Sequence, residues 1–164
     1  MINQHTQLAD PVKSPDRLQE IARLHLHEYG NDAQLNKFVL KASREFHLPV
    51  CFVSVVLDDA LKCLASCGFA GWIRETQSIP LEWTFCSTSV RTGTPFIVED
   101  AASHSLVKDN PLVVIEGFRS YAGVPVISKN GYVLGNFCVF GTKERLFTQR
   151  EIDKLRMYAI HVAA

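Results

Sequence analysis

At 164 residues the chain has the length of one domain, large enough to bury about two thirds of its unfolded surface without covalent staples. Its composition, 47% hydrophobic and 21% charged, is that of an ordinary globular protein. Seventeen basic residues balance seventeen acidic ones, which removes the electrostatic case for a nucleic acid or an anionic membrane as partner.

Residues 1–13 lack the apolar core of a signal peptide, and no run approaches the roughly 20 apolar residues of a membrane span. Five cysteines, an odd number set in apolar runs, suit a reducing compartment. The expectation is a cytoplasmic protein with a flexible leader over 1–13 and a single domain over 14–164.

Ser14-Pro15 opens the first predicted helix, with Ser as N-cap and Pro at the first helical position. Leu18, Ile21, Ala22 and His25 follow at helical spacing, and Gly30 is the expected stop. A second helix begins after Asn31 or Asp32 and carries Leu35, Phe38, Val39, Ala42 and Phe46 as one apolar stripe. Pro49 ends it. The Val-rich run "VCFVSVVLDD" then predicts a central strand covered on both faces, and "LKCLASCGF" a return strand.

Residues 70–81 have no period and read as a loop. "EWTFCSTSVRTG" predicts a short helix ending at Gly93, "PFIVED" a short strand, and residues 101–114 an irregular stretch with one helical turn. Asn130-Gly131 is the pair favoured in two-residue hairpin turns, so its flanks "SYAGVPVIS" and "YVLGNFCVF" pair antiparallel. Thr148 and Glu151 form a capping box, and Ile152, Leu155, Ala159 and Val162 give the last helix its buried stripe. Hairpin connections with helices at both ends predict an antiparallel sheet covered by helices. The long middle segment, 70–118, is too apolar to be disordered and is expected to fold over one sheet face as a lid.

On the hairpin, alternation places Tyr121, Gly123 and Pro125 on one face. Pro125 cannot donate a ladder hydrogen bond, so its strand is exposed or interrupted there. Gly123 and Gly135 let another group approach the backbone, and Tyr121 offers an aromatic body with a polar tip. This face is read either as the floor of a pocket or as a surface whose glycines merely accommodate sheet twist.

Cys63 and Cys67 would share one face of a strand about 13 Å apart, too far for a disulfide. With Cys51 and Cys138 they are read as small apolar fillers. Cys86, beside Ser87, Thr88 and Ser89, is either a packing residue or a functional thiol, depending on cations or helix ends near it. His25 and His27 lie about 200° apart around a helix and cannot chelate one ion, and no Cys/His cluster has zinc spacing. His104 in the middle segment reads as a solvated loop residue or a ligand contact. No nucleophile elbow, P-loop or dinucleotide fingerprint is present.

"FCSTSVRTGTPFIVEDA", "DNPLV", "RSYAGVPV", "NGYVLGNFCV" and "RLFTQREIDKL" together resemble the GAF domain family over roughly residues 16–162, with the specific part between Phe85 and Cys138. The resemblance implies an α+β fold, a central antiparallel sheet of about six strands with helices on both sides. It also implies a small-molecule pocket between the sheet and the lid, in a non-catalytic regulatory module of bacterial signalling. The candidate ligand-binding residues are Trp83, Phe85, Cys86, Asp100, Tyr121 and Gly123. No Cys-His dipeptide is present for attaching a bilin, and the "NKFDE" signature of the cyclic-nucleotide-binding branch is absent. No metal and no particular cofactor is indicated.

The expected partners are an unidentified small molecule, a second copy of the chain through the terminal helices, and a C-terminal output domain or partner protein. Two alternatives stand beside this reading. One is a free methionine-(R)-sulfoxide reductase-like enzyme using Cys86, and the other a ligand-free dimerisation module whose lid is packed solid.

Overall fold

The structure, a computed structural model, describes residues 10–26 and 33–163. Its elements in chain order are α1 (Pro15–Arg23), α2 (Ala33–Phe46), β1 (Val50–Val56), β2 (Ala60–Cys67), α3 (Gly71–Thr76), β3 (Ser78–Pro80), α4 (Cys86–Thr92), β4 (Phe96–Val98), α5 (Pro111–Val114), β5 (Ser120–Ile127), β6 (Val133–Gly141) and α6 (Gln149–Ala163). The six strands form one antiparallel sheet in the order β3-β2-β1-β6-β5-β4. β1 is buried along its whole length, as its unbroken apolar run requires.

Two hydrophobic layers flank the sheet. On one face α2 and α6 pack through Val39, Ala42, Phe46, Leu155 and Ala159 onto Val53, Val55, Ala122, Val124 and Phe137. On the other, α3, α4, α5 and the segments between them bring Ile73, Phe85, Val90, Val107, Leu112 and Val113 onto Phe52, Tyr121, Cys138 and Phe140. Each large side chain so buried contributes about 1.5–3 kcal/mol relative to exposure. The α+β sandwich with helices on both sides is therefore the architecture expected, and the middle segment is its lid.

Helix ends follow their sequence signals. Ser14 Oγ accepts from Arg17 N, and the Thr148–Glu151 box is reciprocal, with Thr148 N donating to Glu151 Oε1 and Glu151 N to Thr148 Oγ1, both at 3.1 Å. α4 ends at Gly93, whose φ of 71° is the left-handed cap. α1 ends earlier than expected, at Arg23, and Gly30 lies outside the described residues. Its inner face is also more polar than the apolar stripe suggested. Arg17 is buried and donates to the carbonyls of Pro11, Val12, Val133 and Leu134, while Ala22 faces outward.

Four further expectations are corrected. Residues 70–81 hold α3 and the edge strand β3, elements too short to show a hydrophobic period. Within the stretch expected as a flexible leader, Pro11–Lys13 form a 3-10 turn capped by Asp10, with Val12 fully buried; residues 1–9 lie outside the described residues. The hairpin turn is not a two-residue one. Gly131 N donates to Ser128 O and Ser128 N to Tyr132 O, with a positive φ at Gly131 alone, which is a type I turn followed by a glycine bulge.

The last correction concerns Cys63 and Cys67, which do not share a face. β1 pairs Val53 with Ala65 but Ser54 with Cys63, so Leu64 is an extra residue in β2. This bulge turns Cys63 to the lid layer and Cys67 to the helix layer.

Candidate functional site

β5 and β6 supply the floor of the lid layer. Tyr121 pairs with Phe140, Gly123 with Cys138 and Pro125 with Asn136, and the two residues of each antiparallel pair share a face. Pro125 stands two residues beyond the stretch of β5 that β4 covers, so its missing N–H breaks no β4 bond.

Phe140 is the centre of an aromatic cluster. Its ring lies 4.4 Å from that of Phe118, 4.9 Å from Tyr121, 5.2 Å from Phe85 and 5.7 Å from Phe52. Such offset and edge-on pairs each add about 0.5–1.5 kcal/mol to area burial.

Within this apolar layer lies one polar knot. α4 begins at Cys86, whose Sγ is 3.2 Å from Tyr121 Oη and 3.3 Å from Cys138 Sγ, and Tyr121 Oη is 3.4 Å from Cys138 Sγ. All three residues are buried. Asn136 donates its amide to the Cys86 carbonyl at 2.9 Å, and its backbone N–H to Ser54 Oγ at 3.2 Å. Because only the amide nitrogen can donate to a carbonyl, this contact fixes the orientation of the Asn136 side chain. Its Oδ1 and the buried Ser89 Oγ have no hydrogen-bond partner among the described residues.

The knot divides its protons unequally. Burial raises the Cys86 thiol, but hydrogen bonds from Cys138, Tyr121, Ser54 and Asn136 outweigh it and hold the thiol below its ordinary value. Burial, reinforced by the neighbouring Cys86, pushes Cys138 well above the usual thiol range. Tyr121 is likewise raised, first by burial and then by the two thiols.

The six sequence-predicted residues divide. Phe85, Cys86, Tyr121 and Gly123 converge, with the Phe85 and Tyr121 rings 5.1 Å apart and the Tyr121 hydroxyl over Gly123. Trp83 belongs elsewhere: with Trp72, 5.7 Å away and edge-on, it lines a surface groove of about 200 Å³ with Pro80, Pro111, Ile115 and Glu116. Asp100 accepts from Ala102 N and Ser103 Oγ and so caps its own turn. His104 does the same on a smaller scale, accepting from Leu106 N.

Cys138, read as a filler, is the residue sequence reasoning missed. The glycines also differ from expectation. The close approach at Gly123 is made by Tyr121 itself, and that at Gly135 by the Ser54 carbonyl of the neighbouring strand. The space expected for a guest is thus held by the protein's own ring. A larger cavity of about 560 Å³ lies on the opposite face, among Leu35, Phe38, Leu64, Val126 and Leu134.

Among the described residues no helix is long and apolar enough to cross a membrane. The chain is similar to a cyclic di-GMP phosphodiesterase of Pseudomonas aeruginosa, 29% identical over 156 residues that make up 94% of this chain and 26% of that protein. It therefore spans about a quarter of that relative's length.

Among solved structures it resembles the GAF domain of an Acinetobacter phosphoenolpyruvate-protein phosphotransferase, with a TM-score of 0.66 at 16% identity, covering 90% of this chain and 89% of that one. It also resembles a type II free methionine-R-sulfoxide reductase of Thermoplasma acidophilum, with a TM-score of 0.65 at 19% identity, covering 89% and 92%. At these identities the likeness is one of fold, and a fold hosts many functions. A family model for the GAF domain matches residues 31–164, most of the chain. The chain belongs to the GAF domain family.

Proposed function

We propose that this GAF domain is a non-catalytic sensor that takes a small molecule between β5–β6 and the 70–118 lid, with Tyr121 closing the site when it is empty. GAF domains generally serve as signalling and sensing modules. The observation that carries the reading is the unpartnered Asn136 Oδ1, fully buried on the same face as Cys138 and Tyr121. A buried acceptor left without a partner costs about 1–3 kcal/mol, and a guest with an N–H or O–H donor would recover it. The ligand is therefore a small polar molecule carrying a donor.

Displacing Tyr121 has two routes outward. β5 alternates Tyr121 and Gly123 toward the lid with Ala122 and Val124 toward the layer of α2 and α6, so a shift of the strand reaches α6. α4 also meets the turn at 11–13, through the Arg91–Asp10 ion pair at 3.0 Å, and that turn leads directly into α1. A ligand can use these routes only by binding the open and closed states unequally.

The test is a thermal-shift screen of small polar metabolites on the wild type and on Asn136→Leu. A ligand at 100 times its Kd stabilises by about 2.7 kcal/mol, a rise of roughly 5–10 °C for a domain of this size. At least one compound should produce it in the wild type and not in the variant. Hits indifferent to Asn136, or none, would overturn the reading.

A second reading is favoured by the closed packing around Tyr121: a ligand-free module whose terminal helices pair two copies. It requires the full screen to be silent while the protein remains dimeric.

A further inference from the structure

Cys86 opens the lid helix α4 and Cys138 sits in the middle of floor strand β6, so the contact between their sulfurs crosses from lid to sheet. Both thiols are free, and their separation of 3.3 Å must shorten to about 2.05 Å for a bond. Tyr121 Oη touches both. Of the remaining cysteines, Cys51 and Cys67 lie in the opposite layer, and Cys63 makes no sulfur–sulfur hydrogen bond of this kind among the contacts of the pair.

We propose that Cys86 and Cys138 are a redox-modifiable pair, oxidised by a peroxide to a disulfide that staples α4 to β6 and holds the lid shut. The proposal rests on the reading that the lid opens for a ligand, and adds a control on that opening.

Cys86 is the first reactant, because the hydrogen bonds around it favour its thiolate while burial keeps Cys138 protonated. The thiolate attacks hydrogen peroxide, forming an S–O bond as the O–O bond breaks. The departing hydroxide takes up a proton and leaves as water, and Cys86 becomes a sulfenic acid. Cys138 Sγ then attacks Cys86 Sγ, forming the S–S bond and breaking the S–O bond. The expelled hydroxide carries away the Cys138 proton as a second water. Two thiols and one peroxide thus give one disulfide and two waters, and a small dithiol reverses the step by exchange. Both sulfurs are buried, so the peroxide reaches Cys86 through transient openings of the lid, the disulfide forms as the lid closes again, and the dithiol acts through the rarer openings that local unfolding of α4 allows.

The experiment treats the reduced full chain with hydrogen peroxide, alkylates the remaining thiols and maps the linkages by mass spectrometry. The expected product is a Cys86–Cys138 linkage, an intact mass lower by two hydrogens, and recovery with dithiothreitol. Amide exchange over residues 84–92 should slow by about tenfold or more in the oxidised protein. In Cys138→Ala the reaction should stop at a Cys86 sulfenic acid trapped by dimedone.

A Cys63–Cys86 linkage, oxidation confined to Cys67, or a lasting Cys86 sulfenic acid in the wild type would each overturn the pairing. A disulfide that leaves exchange unchanged would overturn the staple. The wild-type results stand without the variant. They are also independent of the metabolite screen: the linkage forms whether or not a ligand is found, and its failure leaves ligand stabilisation untouched.

Discussion

The hydroxyl of Tyr121 occupies the place where a side chain on Gly123 would begin. A β-carbon built on residue 123 would stand 2.1 Å from that oxygen and 2.6 Å from the ring carbon bearing it. The two residues are neighbours on one face of β5, so the ring lies along its own strand and fills the hollow that the glycine leaves.

Gly123→Ala should therefore force the ring from its place. The expected cost is about 1–3 kcal/mol, typical of an added methyl in a filled core. In a Tyr121→Leu background the same substitution should cost less, with a coupling of about 1 kcal/mol or more by denaturant unfolding. Additive costs would mean that the ring does not hold the space.

Ser89 gives a prediction of the opposite sign. Its hydroxyl is buried without a partner among the described residues, so Ser89→Ala removes a desolvation cost and breaks no hydrogen bond seen there. Its stability in denaturant should equal or exceed that of the wild type by up to about 1 kcal/mol. A loss of that size would reveal a partner for the hydroxyl.

Stability should fall in alkali. Burial raises the thiols of Cys51, Cys63 and Cys138 and the phenol of Tyr121. Above the ordinary thiol and phenol ranges, from about pH 8.5–9 for the cysteines, the unfolded chain releases protons that the folded chain keeps. Each such group then takes away about 1.4 kcal/mol per pH unit, whereas the lowered Cys86 adds stability only as pH rises toward the ordinary thiol range and opposes nothing beyond it. Urea midpoints between pH 8 and 10.5 should decline, and less steeply in Cys63→Ala. A flat profile would contradict the buried thiols.

The protein should not turn over free methionine-(R)-sulfoxide. The site holds two thiols, but the groups hydrogen-bonded around them, Tyr121, Asn136 and Ser54, carry no charge that would hold the ammonium and carboxylate of an amino-acid substrate. Sustained reduction in a coupled assay, abolished by Cys86→Ser, would replace the sensor reading with an enzymatic one.

What the sequence disclosed follows from how local each signal is. The Val-rich β1, the α2 stripe, the Thr148 capping box and the Gly93 stop depend on near neighbours, and all lie where expected. α3 and β3 are shorter than one clear period and take their form from packing and edge pairing.

For the site, alternation places Tyr121 and Gly123 on one face of β5, and the structure shows that the lid covers that face. A two-residue turn would align Lys129 with Tyr132 and hence Gly123 with Cys138, which is the register found. The real turn is one residue longer, and a second irregularity, between Val126 and Ile127, restores the count. The place of Cys138 opposite Gly123 is thus readable from the sequence. Its contact with Cys86 was not readable, because it depends on how the lid folds over the sheet. Nor could residue type alone separate Phe85 from Trp83, two positions apart, of which one points inward and the other lines a surface groove.

The most direct measurement is the rate at which iodoacetamide labels Cys86 in native protein as urea is added. A lid that opens as a unit exposes Cys86 with only a shallow dependence on denaturant, while Cys51, behind the sheet, labels with the full dependence of global unfolding. If Cys86 follows the same steep line as Cys51, the segment over Tyr121 is fixed core, and no guest enters there.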